Sequence, residues 1–225
     1  VARLARRLRV PMIITPRGGM SVCADSIKRH KKFLANYLFF NYIVYSCSAV
    51  HYLTEQEAAA SSRWERPSFV VPNGIAEVEF GRNAKSTGGP INLVFIGRIA
   101  INHKGLDLLL SAIEALISKP EVPNFVLNIY GPGVPSDLRS LDKLIKSKLL
   151  QSHVKVNPPV YGEDKSHILR AADVFVLTSR FEGHPMAILE ALSYGVPCLV
   201  SVGTNMASEV EAAKAGWVCN SDVIS

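Results

Sequence analysis

Apolar residues fall along this chain in two alternating rhythms. Short, nearly continuous apolar runs that close on glycine or proline are separated by longer stretches in which apolar residues recur at helical spacing. The clearest runs are 91–96, interrupted only by Asn92 and followed by Gly97 and Arg98; 125–130, ending in Gly131, Pro132 and Gly133; and 174–178, with a shorter, more polar segment, 153–160, leading to Tyr161 and Gly162. Each reads as a strand. Between them, Leu106, Leu109, Leu110, Ile113 and Leu116 repeat at helical spacing, a polar helix is expected over 137–150, and another over 165–172. Strand, helix, strand repeated in this way predicts a parallel, doubly wound α/β sheet. The loops after successive strands then converge on one edge, which brings Gly97, Arg98, Gly131, Tyr161, Gly162 and Glu182 together.

The first third is less regular. Residues 10–15 form an apolar run that ends in Pro16, Arg17, Gly18 and Gly19, a strand followed by a glycine-rich turn. A buried helix is expected over 25–45 and a short strand over 49–53. Thr54 and Glu57 then have the spacing of a capping box that opens another helix. Residues 33–53 carry no charge, long enough to raise a membrane span, but Asn36, Asn41, Ser46, Ser48 and His51 interrupt them and favour the buried helix and strand. A strand near 69–71 runs into Pro72, Asn73 and Gly74, a strong break that divides the chain into 1–72 and 73–225; 81–90 reads as a flexible loop.

At 225 residues and 48% hydrophobic content, the chain can build one large or two small cores. It begins at Val1 and stops just after a strand-like Gly-Trp-Val, so truncation at both ends is expected. Four cysteines without metal-ligand spacing fit a reducing cytoplasm. The net charge of +6 is unevenly placed: residues 1–72 hold eleven basic and four acidic side chains, a net +7, and the remainder is at −1. The excess clusters at Arg3, Arg6, Arg7 and Arg9 and at Lys28, Arg29, Lys31 and Lys32, the second beside Phe33, Tyr37, Phe39 and Phe40. Two readings are open: an anionic membrane surface or phosphorylated acceptor, or two solvated helix faces. No nucleic-acid-binding motif accompanies the charge.

The most informative stretch is TSRFEGHPMAILEALSYGVPCLVS, residues 178–201. Pro185 suits the first turn of a helix and Gly195 its exit. Met186, Ala187, Ile188, Leu189, Ala191 and Leu192 leave almost no polar face, so this helix is expected to be buried, with Glu190 among them. A carboxylate there needs a partner, either ligand hydroxyls or a nearby Arg or Lys. Glu182 lies before the helix, whose free amides favour anions. A carboxylate, an anion cradle and a second carboxylate suit a ligand with phosphates and hydroxyls.

This run resembles the donor-binding signature of the retaining glycosyltransferases of family 4, or group 1, which have the two-domain GT-B fold. The resemblance implies that residues 1–72 end an incomplete, Rossmann-like acceptor-side domain and that 73–225 form the nucleotide-sugar domain. It implies that Glu182, the candidate catalytic residue, contacts donor-sugar hydroxyls. Gly183, His184, Pro185, Met186 and Ala187 meet sugar and phosphate, and Glu190 accepts from ribose. Arg98 and Lys104 match the Gly-Arg and Lys-Gly elements that hold the donor diphosphate, Lys104 being expected at the start of a helix. Gly97 and Gly131 line the same crevice. Where the family often has a histidine after the first-domain strand, this chain has Arg17, either a contact for a phosphate or acidic acceptor or a surface turn residue. No Asp-x-Asp pair points to a metal. The implied activity is retaining transfer from a UDP- or GDP-linked sugar to a lipid-linked or saccharide acceptor in cell-envelope polysaccharide synthesis. It would take place in the cytoplasm or on the inner face of the membrane, without a cofactor. A non-catalytic nucleotide-sugar-binding fragment and another GT-B enzyme, such as a sugar-nucleotide epimerase or a phosphorylase, are the alternatives.

Overall fold

The structure, a computed structural model, describes residues 1–20, 40–61, 65–76 and 88–220. Most of the helix expected at 25–45, the cluster Lys28, Arg29, Lys31 and Lys32, and most of the loop at 81–90 lie outside the described residues. The chain divides into two compact units, Val1–Gly74 with Phe181–His184, and Ile75–Arg180 with Pro185–Ser225.

The first unit holds a parallel sheet in the order β1 (Ile13–Ile14), β2 (Ala49–Tyr52) and β3 (Ser68–Val70). Ile13 lies opposite Ala49, and Val50 opposite Ser68. The strand expected over 10–15 shrinks to two residues between Pro11 and Pro16, neither of which has an N–H to give to a ladder. The uncharged stretch ends in β2, and no helix among the described residues is long and apolar enough to cross a membrane. Helices α1 (Ala2–Arg7), α2 (Asn41–Ser46) and α3 (Glu55–Ala60) accompany the sheet. Met20, Val44, Cys47, Val50 and Tyr52 make its core.

Thr54 caps α3 as its spacing predicts, its Oγ1 accepting from the Glu57 amide at 3.0 Å. Glu57 itself reaches beyond the cap. Its fully buried carboxylate accepts from Leu53 N at 2.8 Å and from Gly18 N. One side chain thereby ties the start of α3 to the turn at 16–19. That turn is closed by Gly19 N donating to Pro16 O at 2.9 Å, with Arg17 at φ 49° and Gly18 at φ 82°. A left-handed arginine costs about 1 kcal/mol or more and persists where its surroundings over-determine it. The Glu57 carboxylate supplies that constraint.

The second unit is built on six parallel strands. In spatial order they are β6 (Val154–Asn157), β5 (Phe125–Tyr130), β4 (Ile91–Ile96), β7 (Val174–Leu177), β8 (Cys198–Ser201) and β9 (Gly216–Cys219). Helices α4 (Ile101–Lys104), α5 (Leu106–Ile117), α6 (Pro135–Ser147), α7 (Gly162–Ala171), α8 (Met186–Ser193) and α9 (Ala207–Ala212) connect them. Adjacent residues Val94 and Phe95, and likewise Phe175 and Val176, are fully buried, so the central strands are covered on both faces. Val156, on the edge strand β6, is exposed. Chain order reverses between β4 and β7, and in such sheets ligands bind beyond the carboxyl ends of the strands at that switch point.

Replacing Glu57 by Gln keeps its shape but turns an amide donor toward one of the two backbone N–H groups. Urea unfolding of the first unit is expected to show a loss of about 1–3 kcal/mol, with faster hydrogen exchange at Gly18 and Leu53. Unchanged stability and exchange would contradict the clamp.

Candidate functional site

The edge of the second sheet is built by two glycines. Pairing of β4 with β5 continues past both strands: Gly97 N donates to Tyr130 O at 3.0 Å and Ile99 N to Pro132 O at 2.7 Å. Gly131 has φ 152°, and a Cβ there would stand 1.8 Å from Gly97 O, so no other residue fits without moving the strands. Arg98 follows directly and is exposed. Its Nη2 donates to His103 Nδ1 at 3.2 Å; since a guanidinium only donates, a neutral His103 carries its proton on Nε2.

Lys104 closes α4 rather than opening the next helix, a correction to the sequence reading. The break comes from Gly105, at φ 62°, whose position lies so close to Thr178 O that a Cβ would meet it at 2.0 Å. Thr178 Oγ1 is 3.3 Å from Lys104 O and 3.2 Å from Gly105 O. Arg180 secures the same loop. Its amide donates to His103 O at 2.9 Å, its Nη1 to Asn102 O at 2.6 Å, and its two terminal nitrogens fork onto Asp107 at 2.8 and 2.7 Å. Burial alone would raise the Asp107 carboxyl, but the Arg180 hydrogen bonds and charge, with backbone amides, hold it below the ordinary range. The Lys104 stem, so placed, passes Gly97, with its Cε 3.9 Å from where a Gly97 Cβ would stand.

Helix α8 departs from the buried helix expected. Only Ile188 and Ala191 are fully enclosed; Met186 is 40% exposed, and Ala187 and Glu190 are half-buried. The open face lines a pocket of about 290 Å³. Gly97, Arg98, Gly131 and Pro132 form one wall, Pro159, Val160, Tyr161 and Lys165 another, and Met186, Ala187 and Glu190 a third. Tyr161 caps α7 and Gly162 is its first residue, so what reads as a turn is a helix start. Glu190 pairs with Lys165, which answers in part the question of its partner.

A second group of predicted residues belongs to the first unit. Gly183 packs on the 16–19 turn so closely that a Cβ would lie 2.7 Å from the Arg17 carbonyl carbon, and one at Gly18 would lie 3.1 Å from Glu182 O. His184 Nδ1 accepts from Asn73 N at 3.1 Å, and His184 O accepts from Asn73 Nδ2 at 3.2 Å. An accepting Nδ1 makes the ring neutral with its proton on Nε2. Pro185, in the second unit, is the N-cap of α8. The predicted residues therefore fall into two sets: Arg17, Glu182, Gly183 and His184 in the first unit, and Gly97, Arg98, Lys104, Gly131, Pro185, Met186, Ala187 and Glu190 in the second.

Sequence reasoning assigned no site role to Asp107, Lys165 or Arg180, whose partners are distant in sequence. Glu57 was legible only as part of a capping box and Asn73 only as turn punctuation. Among the described residues, no group of three or more His, Cys, Asp or Glu could hold a metal. Cys47 and Cys198 are buried free thiols; burial pushes Cys198 up to about 12, which leaves it protonated and unreactive.

The family profile "Glycosyl transferases group 1" matches residues 78–224. The chain belongs to that family. Among curated relatives, the mannosylfructose-phosphate synthase of Agrobacterium fabrum is 34% identical over 111 residues, 48% of this chain and 24% of its own length. The UDP-Gal:alpha-D-GlcNAc-diphosphoundecaprenol alpha-1,3-galactosyltransferase of Escherichia coli is 39% identical over 94 residues, 40% of this chain and 22% of its own length. The matches therefore span about a quarter of the length of these relatives. The solved structure of Anabaena Alr3699/HepE in complex with UDP and glucose superposes with a TM-score of 0.77 at 16% identity, over 99% of this chain and 61% of that one. That likeness places the fold among the GT-B glycosyltransferases.

Because the folded-state Asp107 carboxyl lies below its unfolded value, the fork contributes stability above the unfolded pKa and loses it as pH falls through the lower, folded one. Asp107→Asn is expected to be less stable than the parent in urea at pH 7, with the gap closing below about pH 4. A gap independent of pH would contradict the ion pair.

Proposed function

We propose that this chain carries the donor-binding part of a glycosyltransferase that moves a sugar from a UDP- or GDP-linked donor to a lipid-linked or saccharide acceptor, with retention at the anomeric carbon. One observation carries the reading. The pocket beyond β4 and β5 joins a fixed cation, Arg98, and a carboxylate, Glu190, across an apolar floor at the switch point of a doubly wound sheet.

In this reading the base lies against Pro159, Val160 and Tyr161, Glu190 accepts from the ribose hydroxyls, and Arg98 with Lys104 receives the diphosphate. Two fixed cations also stabilise the charge that builds on the departing nucleoside diphosphate, so the chemistry needs no metal or cofactor. The backbone closeness of Gly97 and Gly131 leaves room for that charged group. The roles of Glu182 on the donor-sugar hydroxyls, of Gly183, His184 and Pro185 near sugar and phosphate, and of Arg17 toward the acceptor rest on the sequence resemblance. The Escherichia coli relative named for a UDP-linked galactose and a diphosphoundecaprenol acceptor supports this substrate class, as does the structure solved with UDP and glucose. A lipid-linked acceptor and the basic first third, with Arg3, Arg6, Arg7 and Arg9 exposed, favour a peripheral position on the inner face of the cytoplasmic membrane.

Calorimetry with UDP, GDP and ADP, without added metal, tests the reading. One nucleotide is expected to bind in the micromolar range, and Arg98→Ala and Glu190→Ala each to weaken it about tenfold or more, the loss of a charged hydrogen bond. Binding unaffected by both substitutions would place the nucleotide elsewhere and overturn the assignment.

A further inference from the structure

Lys165 stands on the pocket wall and forms an ion pair with Glu190 Oε2, the two side chains being 24% and 30% exposed. Docking α7 on α8 does not require this pair. Beside the pair, Tyr194 Oη, at the end of α8, donates to Ser166 Oγ at 2.8 Å, and the Arg170 guanidinium lies 5.1 Å from the Tyr194 ring centroid. Those contacts fix the register of the helices. A partly exposed pair adds little to stability, about 0–1 kcal/mol. Its effect falls instead on the geometry of Glu190. A carboxylate on a rotatable side chain samples several directions; with Oε2 held by an ammonium from α7, its remaining lone pairs have a fixed direction. Lys165 and Glu190 both line the pocket, so the carboxylate is fixed at the edge of the ligand volume.

We propose that Lys165 is a positioning residue: it orients the Glu190 carboxylate as the acceptor for the ribose hydroxyls of a nucleoside diphosphate. This rests on the nucleotide reading of the pocket and adds its selectivity for ribose over 2′-deoxyribose. Preorganised acceptors gain most where a ligand presents paired donors, because the ordering cost is already met. The cis-diol of ribose is such a ligand, and a 2′-deoxy sugar is not.

The test compares UDP and GDP with their 2′-deoxy forms by calorimetry on the whole chain, for the parent, Lys165→Met and Lys165→Arg. Met keeps the stem and removes the charge, while Arg keeps a charged donor. The parent is expected to prefer the ribose form of its nucleotide by about tenfold. In Lys165→Met that preference should collapse toward unity, with ribonucleotide binding weakened by a similar factor. Lys165→Arg, with an unchanged melting temperature, should restore part of it. A Lys165→Met variant that keeps the parental preference, or binds the ribonucleotide more tightly, overturns this inference and leaves the nucleotide reading intact. If neither UDP nor GDP binds the parent, both fall.

Discussion

Parallel hydrogen bonding across the second sheet is the constraint on which the site depends. When every strand runs the same way, the chain must return over one face or the other, and apolar helices end up covering both. The consecutive buried pairs Val94–Phe95 and Phe175–Val176 record that enclosure. The same constraint sends every post-strand loop to one edge, so Gly97 with Arg98, Gly131 and Val160 meet there from separate parts of the sequence. What remains for local chemistry is to hold those loops still.

That holding is done largely by charged side chains aimed at backbone or at each other. Arg180 gathers Asn102, His103 and Asp107, which sets the path of the loop carrying Lys104. In the first unit, Glu57 gathers Gly18 and Leu53 and keeps Arg17 in a left-handed turn. Both cases use one side chain to satisfy several partners, a stronger restraint than isolated surface pairs supply.

Much of the fold was legible in the sequence. The strands Ile91–Ile96 and Phe125–Tyr130 match their apolar runs residue for residue, because both are paired on two sides and glycines mark their ends. The run at 10–15 was read too long because flanking prolines limit pairing in a way that hydrophobicity does not report. Helix α8 shows a deeper limit. Its apolar residues do not say whether they face protein or a ligand pocket, and Met186 and Ala187 face a pocket. Lys165 escaped notice for the complementary reason: near the start of a polar helix, a lysine reads as solvated, and only the fold brings it to Glu190, 25 residues away. Glu182, Gly183 and His184 belong with the first unit although they follow the break at 72–74, and no local pattern announces that.

The central claim is that the edge beyond β4 and β5, with the start of α8, receives a nucleoside diphosphate. Hydrogen exchange of the whole chain with and without saturating UDP or GDP measures this most directly. The account predicts slower exchange confined, within the second unit, to the amides around Gly97–Arg98, Gly131–Gly133 and the first turn of α8. Protection spread over the opposite edge of the sheet, or none despite measured binding, would contradict it.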